Sequence, residues 1–177
     1  MTLPLQKQLS ALWDNIFDRS RDPSKQDLVN ILAQVPLFAD LNHRELKRVA
    51  RITHQRHYAQ GEKIFHMGHP GAAMFIIRTG RVNIVIPSES DGLVLATLSA
   101  GAFMGELALL DDSPRSASAI AVEDTQAIAL FRSDLNKLLE TEASLGSKIL
   151  KSLALIIGQR LKLTNQQLAQ AQMSKSA

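Results

Sequence analysis

Cysteine is absent from the chain, and with it go disulfides, thiolate metal sites and cysteine nucleophiles. No apolar run approaches the roughly twenty residues that a membrane-spanning helix needs. A basic-then-apolar leader is missing as well, so a cytoplasmic address is expected. Lys and Arg outnumber Asp and Glu only by 20 to 17, and the basic side chains are spread out. That is weak ground for a nucleic-acid partner. There is no Walker-type lysine loop, no zinc-ligand helix and no nucleophile–base pair visible by spacing, so neither enzymatic activity nor a cofactor is expected. What remains is a chain of 177 residues, 45% hydrophobic and 21% charged, with a net charge of +3. Such a make-up suits one globular domain with helical additions and a core of useful size.

The most informative stretch is 101–121, GAFMGELALLDDSPRSASAIA. A glycine-rich approach leads into an apolar segment long enough for only two helical turns. An acidic turn follows, then Pro114, then Arg115 opening a run of small residues. Physically this is an anion cradle. Backbone N–H groups at 105–108 begin a helix and can point at a negative group. Arg115 can bring a planar fork of donors to the same place. Glu106 offers acceptor oxygens that a phosphate would repel and a sugar hydroxyl would welcome. A structural Glu106–Arg115 ion pair is the plainer alternative. Asp111 and Asp112 lie at the far end of the short helix, where solvent screening blunts their effect on an anion.

In order and spacing, Phe103, Gly105-Glu106-Leu107-Ala108-Leu109, Pro114-Arg115, Ala117 and Ala121 resemble the phosphate-binding cassette of the cyclic-nucleotide-binding domain family. The resemblance implies that Glu106 takes the ribose 2′-hydroxyl and Arg115 the cyclic phosphate. It implies further that the N–H groups of Ala108 and Ser116 hold phosphate oxygens, and that Gly105 helps hold the ribose. Leu107 and Ala117 belong to the same implied ligand site.

Ahead of the cassette, residues 3–19 place Leu5, Leu9, Leu12, Trp13, Ile16 and Phe17 at helical spacing. This amphipathic helix either folds back on its own domain or a dimer mate, or docks an unidentified protein partner. Its polar face lacks the basic stripe of a membrane-surface helix. Arg21-Asp22-Pro23 breaks it, and Ser24 with Asp27 resembles a capping box for a helix to about Gln34, with Pro36 beyond its end. Asn42, with Glu45 in the reciprocal position, caps a third helix whose inner stripe is Leu46, Val49, Ala50 and Ile52. The run 28–52 is also similar to the helical lead-in of the family. A boundary is expected near 34/35, with residues 1–34 an N-terminal extension and 35–177 the binding domain.

From Gln55 the period changes to that of strands, punctuated by Gly61, Gly68, Gly71, Gly80, Gly92 and Gly101. Strands are predicted at 63–66, 74–78, 82–86, 93–98, 116–122 and 125–131, with Asp91-Gly92 as a hairpin turn. Many short strands at close spacing suggest an antiparallel roll. The resemblance implies an α+β, mainly β, fold: an eight-stranded antiparallel β-roll of jelly-roll type over about 55–131, flanked by N-terminal helices and a long C-terminal helix. It also places Ile84, Leu95 and Ala96 against the base. The pairs His54/His57 and His66/His69 invite a metal reading, but residues three apart on a strand point to opposite faces, and no carboxylate joins them at ligand spacing.

Ser133 is predicted to cap a short helix to about Glu140, and a longer helix runs to about Gln172 past Gly146. On it, Leu150, Ile157, Thr164 and Ala171 alternate with Ala154, Leu161 and Leu168 in a coiled-coil seam of about three heptads. The neighbouring stripe Ile149, Leu153, Ile156 and Leu163 can bury itself against the roll. A helix with two apolar stripes implies two partners, its own domain and a second copy in a homodimer. Thr164 in the seam can set dimer register. The segment 159–165 is also similar to the dimer helix of catabolite-activator proteins, which implies that Thr164 and Asn165 read an adenine amino group. The residues after Asn165 are too few for a helix-turn-helix domain, so DNA reading is not expected. The expected function is a stand-alone cyclic-nucleotide receptor that favours cyclic AMP over cyclic GMP, with Ser116 compatible with either and a cyclic dinucleotide as a further candidate. Its rival is a non-binding adaptor of the same fold acting through the N-terminal helix.

Overall fold

A computed structural model describes residues 23–88 and 92–175. The amphipathic helix expected at 3–19 and the Asp91 half of the hairpin signal lie outside them. Helix α1 spans Pro23–Ala33 and α2 spans His43–Arg51, with a 3-10 turn at Pro36–Phe38 between them. Eight strands follow: β1 Thr53–Tyr58, β2 Lys63–Phe65, β3 Ala73–Thr79, β4 Arg81–Ile86, β5 Leu93–Ser99, β6 Phe103–Met104, β7 Ser118–Ala121 and β8 Thr125–Phe131. A second 3-10 helix, Glu106–Leu109, sits between β6 and β7. Helices α3 (Arg132–Thr141) and α4 (Ala143–Lys175) close the chain.

The strands form two four-stranded antiparallel sheets, in the orders β1-β8-β3-β6 and β2-β7-β4-β5. This is the expected β-roll with helices at both ends. Strands β1 and β6 were not predicted. β1 reads THQRHY and is largely exposed, so it carries no apolar alternation to betray it. β6 has only two residues and exists because Phe103 and Met104 pair with Ile76 and Phe75 of β3. β7 is shorter than expected, beginning at Ser118.

Strands β3 and β8 explain how the two halves adhere. Met74 and Ile76, with Ile128 and Leu130, enter one core with the helices; Phe75 and Ile77, with Ala127 and Ala129, enter the roll interior. Successive side chains point to opposite faces, so a strand apolar throughout can serve two cores. Leu28 and Leu32 of α1, Leu135 and Leu138 of α3, and Leu145, Ile149 and Leu153 of α4 complete the helical core.

Helix starts differ from expectation in two places. α1 begins at Pro23, where a fixed φ and a missing N–H suit the first helical position, so Ser24 is the second residue of the helix rather than the one before it. α3 begins at Arg132 after Phe131, with no side-chain cap, so Ser133 does not serve as one. The Asn42 capping box is present in both directions: Asn42 N–H donates to Glu45 Oε2 at 2.8 Å and Glu45 N–H to Asn42 Oδ1 at 3.0 Å. Two ion pairs tie α2 to the α3–α4 junction, Lys148 Nζ to Glu45 Oε1 at 2.7 Å and Arg48 to Glu142. On α4 the inner stripe is buried at Ile149 and Leu153 but Leu163 is 58% exposed, because that part of the helix extends past the core. Among the described residues no helix is long and apolar enough to cross a membrane.

Candidate functional site

The cassette is built from its two ends. At the first, β6 hydrogen-bonds to β3, and Gly105 then turns the chain with φ +71° into the 3-10 helix Glu106–Leu109. A Cβ at Gly105 would stand 2.5 Å from Arg115 Nη1, so this position requires glycine both for its left-handed backbone and for the close approach. At the other end, Arg115 N–H donates to His69 O and Gly68 N–H to Arg115 O, each at 2.9 Å. Gly71 completes the cradle. A side chain there would meet Ala108 Cβ at 2.8 Å and Arg115 Nε at 2.9 Å.

Held this way, the Arg115 guanidinium is half-buried at the cassette. Nη1 donates to Gly105 O at 3.0 Å and Nη2 to Ala73 O at 2.6 Å, while the plane sits 4.3 Å from the Phe65 ring centroid. Its Nε is buried with no acceptor. Burial holds the guanidinium pKa below its ordinary value, with the Glu106 charge opposing the shift. A half-buried cation hydrogen-bonded to neutral carbonyls, with its buried Nε unsatisfied, is a costly arrangement that an anion would relieve.

Glu106 does not form the structural ion pair with Arg115 that the sequence left open. Its carboxylate, with the residue only 8% exposed, is held by Arg160 of α4. Arg160 also stacks 4.7 Å from the Phe103 ring centroid and donates to Phe103 O at 3.4 Å. Arg160 was missed in the sequence, although a signal exists: it continues the Ile149, Leu153, Ile156 face of α4 by one more step of four. Phe65, Gly71 and the Ala73 carbonyl were missed as well.

A cavity of about 500 Å³ opens between these groups. Gly105, Glu106, Leu107, Ala108, Arg115, Ser116 and Ala117 line it, as do Ile84 and Ala96 from the roll, Phe65, and Arg160 from α4. Three residues expected at the site are not among its lining. Leu95 is 52% exposed, on the opposite face of β5 from Ala96. Thr164 and Asn165 are exposed on α4 beyond Arg160, and Thr164 Oγ1 donates to Arg160 O at 3.0 Å. The Ala108 N–H, expected at a phosphate oxygen, donates to Gly105 O at 3.2 Å.

The histidine pairs part company. His54 Nε2 lies 3.1 Å from Asp134 Oδ2 and its ring packs edge-on to Phe131. His66 and His69 stack with centroids 5.0 Å apart, because they occupy a turn rather than one strand. Among the described residues no group of three or more metal-ligating side chains converges.

Residues 55–142 match the sequence profile of the cyclic nucleotide-binding domain. The chain is 40% identical over 100 residues to the cyclic AMP receptor protein of Thermus thermophilus, covering 56% of this chain and 46% of that protein. It is 35% identical over 134 residues to glutaminase 1 of Bradyrhizobium diazoefficiens, covering 76% of this chain and 21% of that one. It thus spans less than half the length of either curated relative. The crystal structure of a cyclic nucleotide-binding domain from Methylobacillus flagellatus superposes with a TM-score of 0.72 at 27% identity, over 84% of each chain. With cassette, roll and sequence match in agreement, the chain belongs to the cyclic nucleotide-binding domain family.

Proposed function

We propose that this chain is a receptor module for cyclic AMP, with cyclic GMP the weaker ligand, that binds its nucleotide without transforming it and reports through α4. The observation that carries the reading is the half-buried Arg115, with a buried, orphaned Nε and no carboxylate partner among the described residues, on the wall of a nucleotide-sized cavity. A cyclic phosphate supplies the missing negative charge, and its oxygens are strong acceptors for a guanidinium. Glu106 lies on the same wall to accept a ribose 2′-hydroxyl, and Ile84 and Ala96 offer apolar surface to a base. The preference for cyclic AMP rests on the similarity to a protein named for that ligand and on Thr164 and Asn165.

Arg160 gives the site its route outward, because it joins the ribose-side carboxylate to α4. A ligand shifts that helix only to the extent that it binds one helix arrangement better than another. A difference of about 1–3 kcal/mol is enough for a switch. Leu161 and Leu168 of the seam are 59% and 56% exposed in the single chain. Burial of that seam against a second copy would bring a partner helix beside the cavity mouth.

A thermal-shift panel of cyclic AMP, cyclic GMP, a cyclic dinucleotide and linear AMP tests the assignment. Saturation at about a hundred times Kd stabilises by about 2.7 kcal/mol, enough to raise Tm by several degrees. The expected order is cyclic AMP first, then cyclic GMP, with linear AMP inert. No shift from any of the four would overturn it.

A further inference from the structure

Arg132 is the first residue of α3, where a cation opposes the helix dipole and no side chain caps the helix. The helix itself therefore gains nothing from it. Its partners lie on the cassette. Nη1 donates to Ala108 O at 3.3 Å and also to Asp111 O, and Nη2 pairs with the Asp112 carboxylate. Ala108 belongs to the short helix Glu106–Leu109, and Asp111 to the turn beyond it. One guanidinium thus serves carbonyls at the negative end of a short helix that lines the cavity from Glu106 to Ala108. The Arg132 side chain is only 21% exposed and its bond to Ala108 O is half-buried, whereas the Asp112 side chain it meets is 90% exposed.

The backbone of Arg132 makes a second link. Its N–H donates to Ala72 O at 2.8 Å, and the next carbonyl, Ala73 O, accepts from Arg115 Nη2. Arg115 and Arg132 are therefore fixed on consecutive carbonyls where β3 begins. One reaches the cavity and the other the far end of the cassette.

We propose that Arg132 is a positioning residue for the nucleotide site, holding the distal end of the cassette in register with the first turn of α3, so that a change in cassette shape is passed to the α3–α4 arm. The inference rests on the nucleotide reading above and adds the residue through which the cassette and the arm are tied. A ligand that draws Ala108 toward the cavity must either carry α3 with it or break the bonds to Arg132. A point charge at this position does not suffice, because two carbonyls and a carboxylate must be met from one planar fork.

The test uses the full chain and three variants, Arg132→Ala, Arg132→Lys and Asp112→Ala. The last removes one partner whose side chain is 90% exposed, so its fold is not at issue. In ligand-free protein, amide hydrogen exchange over residues 108–113 is expected to rise by about fivefold or more in Arg132→Ala, with a smaller rise in Asp112→Ala. Unchanged exchange in both would overturn the proposal whether or not a nucleotide binds. With cyclic AMP, Arg132→Ala and Arg132→Lys are expected to bind about fivefold or more weakly and to lose the ligand-induced change in α4 exchange. Wild-type affinity together with the wild-type α4 response in Arg132→Ala would also overturn it. If wild-type protein binds neither cyclic AMP nor cyclic GMP, the receptor reading is what fails, and the ligand-free comparison still judges the tie between Arg132 and the cassette.

Discussion

Glu106 and Arg115 were legible in the sequence because both lie in one short segment whose glycine, proline and small residues have a defined order. Arg160 was not, since its partner Glu106 stands 54 positions away and only packing brings them together. Leu95 and Ala96 show the limit of reading a strand without its register: one faces the cavity and its neighbour faces out. Gly105 is the residue where local and tertiary demands coincide. Gly105→Ala is expected to cost about 1–2 kcal/mol from the left-handed backbone alone. The added Cβ should also displace Arg115, which it would meet at 2.5 Å. A fall in the urea midpoint accompanied by weaker cyclic AMP binding is the expected outcome, and an unchanged midpoint would contradict it.

Elements with strong local signals were readable, and those made by tertiary pairing were not. The Asn42–Glu45 box declared α2, whereas polar β1 and two-residue β6 exist only because β8 and β3 offer them hydrogen bonds. α3 lacks the cap that Ser133 seemed to promise because β8 runs straight into it. The box carries a pH prediction. The Lys148 ammonium first, and the Asn42 N–H second, hold the Glu45 carboxyl below its ordinary value. A carboxyl lowered in the folded state contributes stability that is complete above its unfolded pKa and fades as pH falls through the folded one. The urea midpoint of wild-type protein is therefore expected to drop below about pH 4.3 more steeply than that of Glu45→Gln. Parallel curves for the two proteins from pH 6 to pH 3 would exclude this contribution.

For the whole molecule, the sequence indicated a roll with helices at both ends, and the structure adds how they join: β3 and β8 each face two cores. Leu150 and Ile157 of the α4 seam pack against the helical core, but farther along the helix Leu161 and Leu168 are more than half exposed. Sedimentation equilibrium is expected to show a dimer for wild-type protein and a monomer for the Leu161→Glu/Leu168→Glu double variant. Exposed positions carry little of the single chain's own stability, so the unfolding free energy extrapolated to a monomer should change by no more than about 0.5 kcal/mol per site. A monomer at all concentrations for wild type would remove the dimer from the proposal. The central claim concerns Arg115, and calorimetric titration of cyclic AMP into wild-type and Arg115→Ala protein addresses it most directly, with circular dichroism confirming that both are folded. One nucleotide per wild-type chain is predicted, with affinity reduced about a hundredfold in the variant by loss of a charge-assisted contact. Equal affinities, or no heat from the wild-type protein, would contradict it.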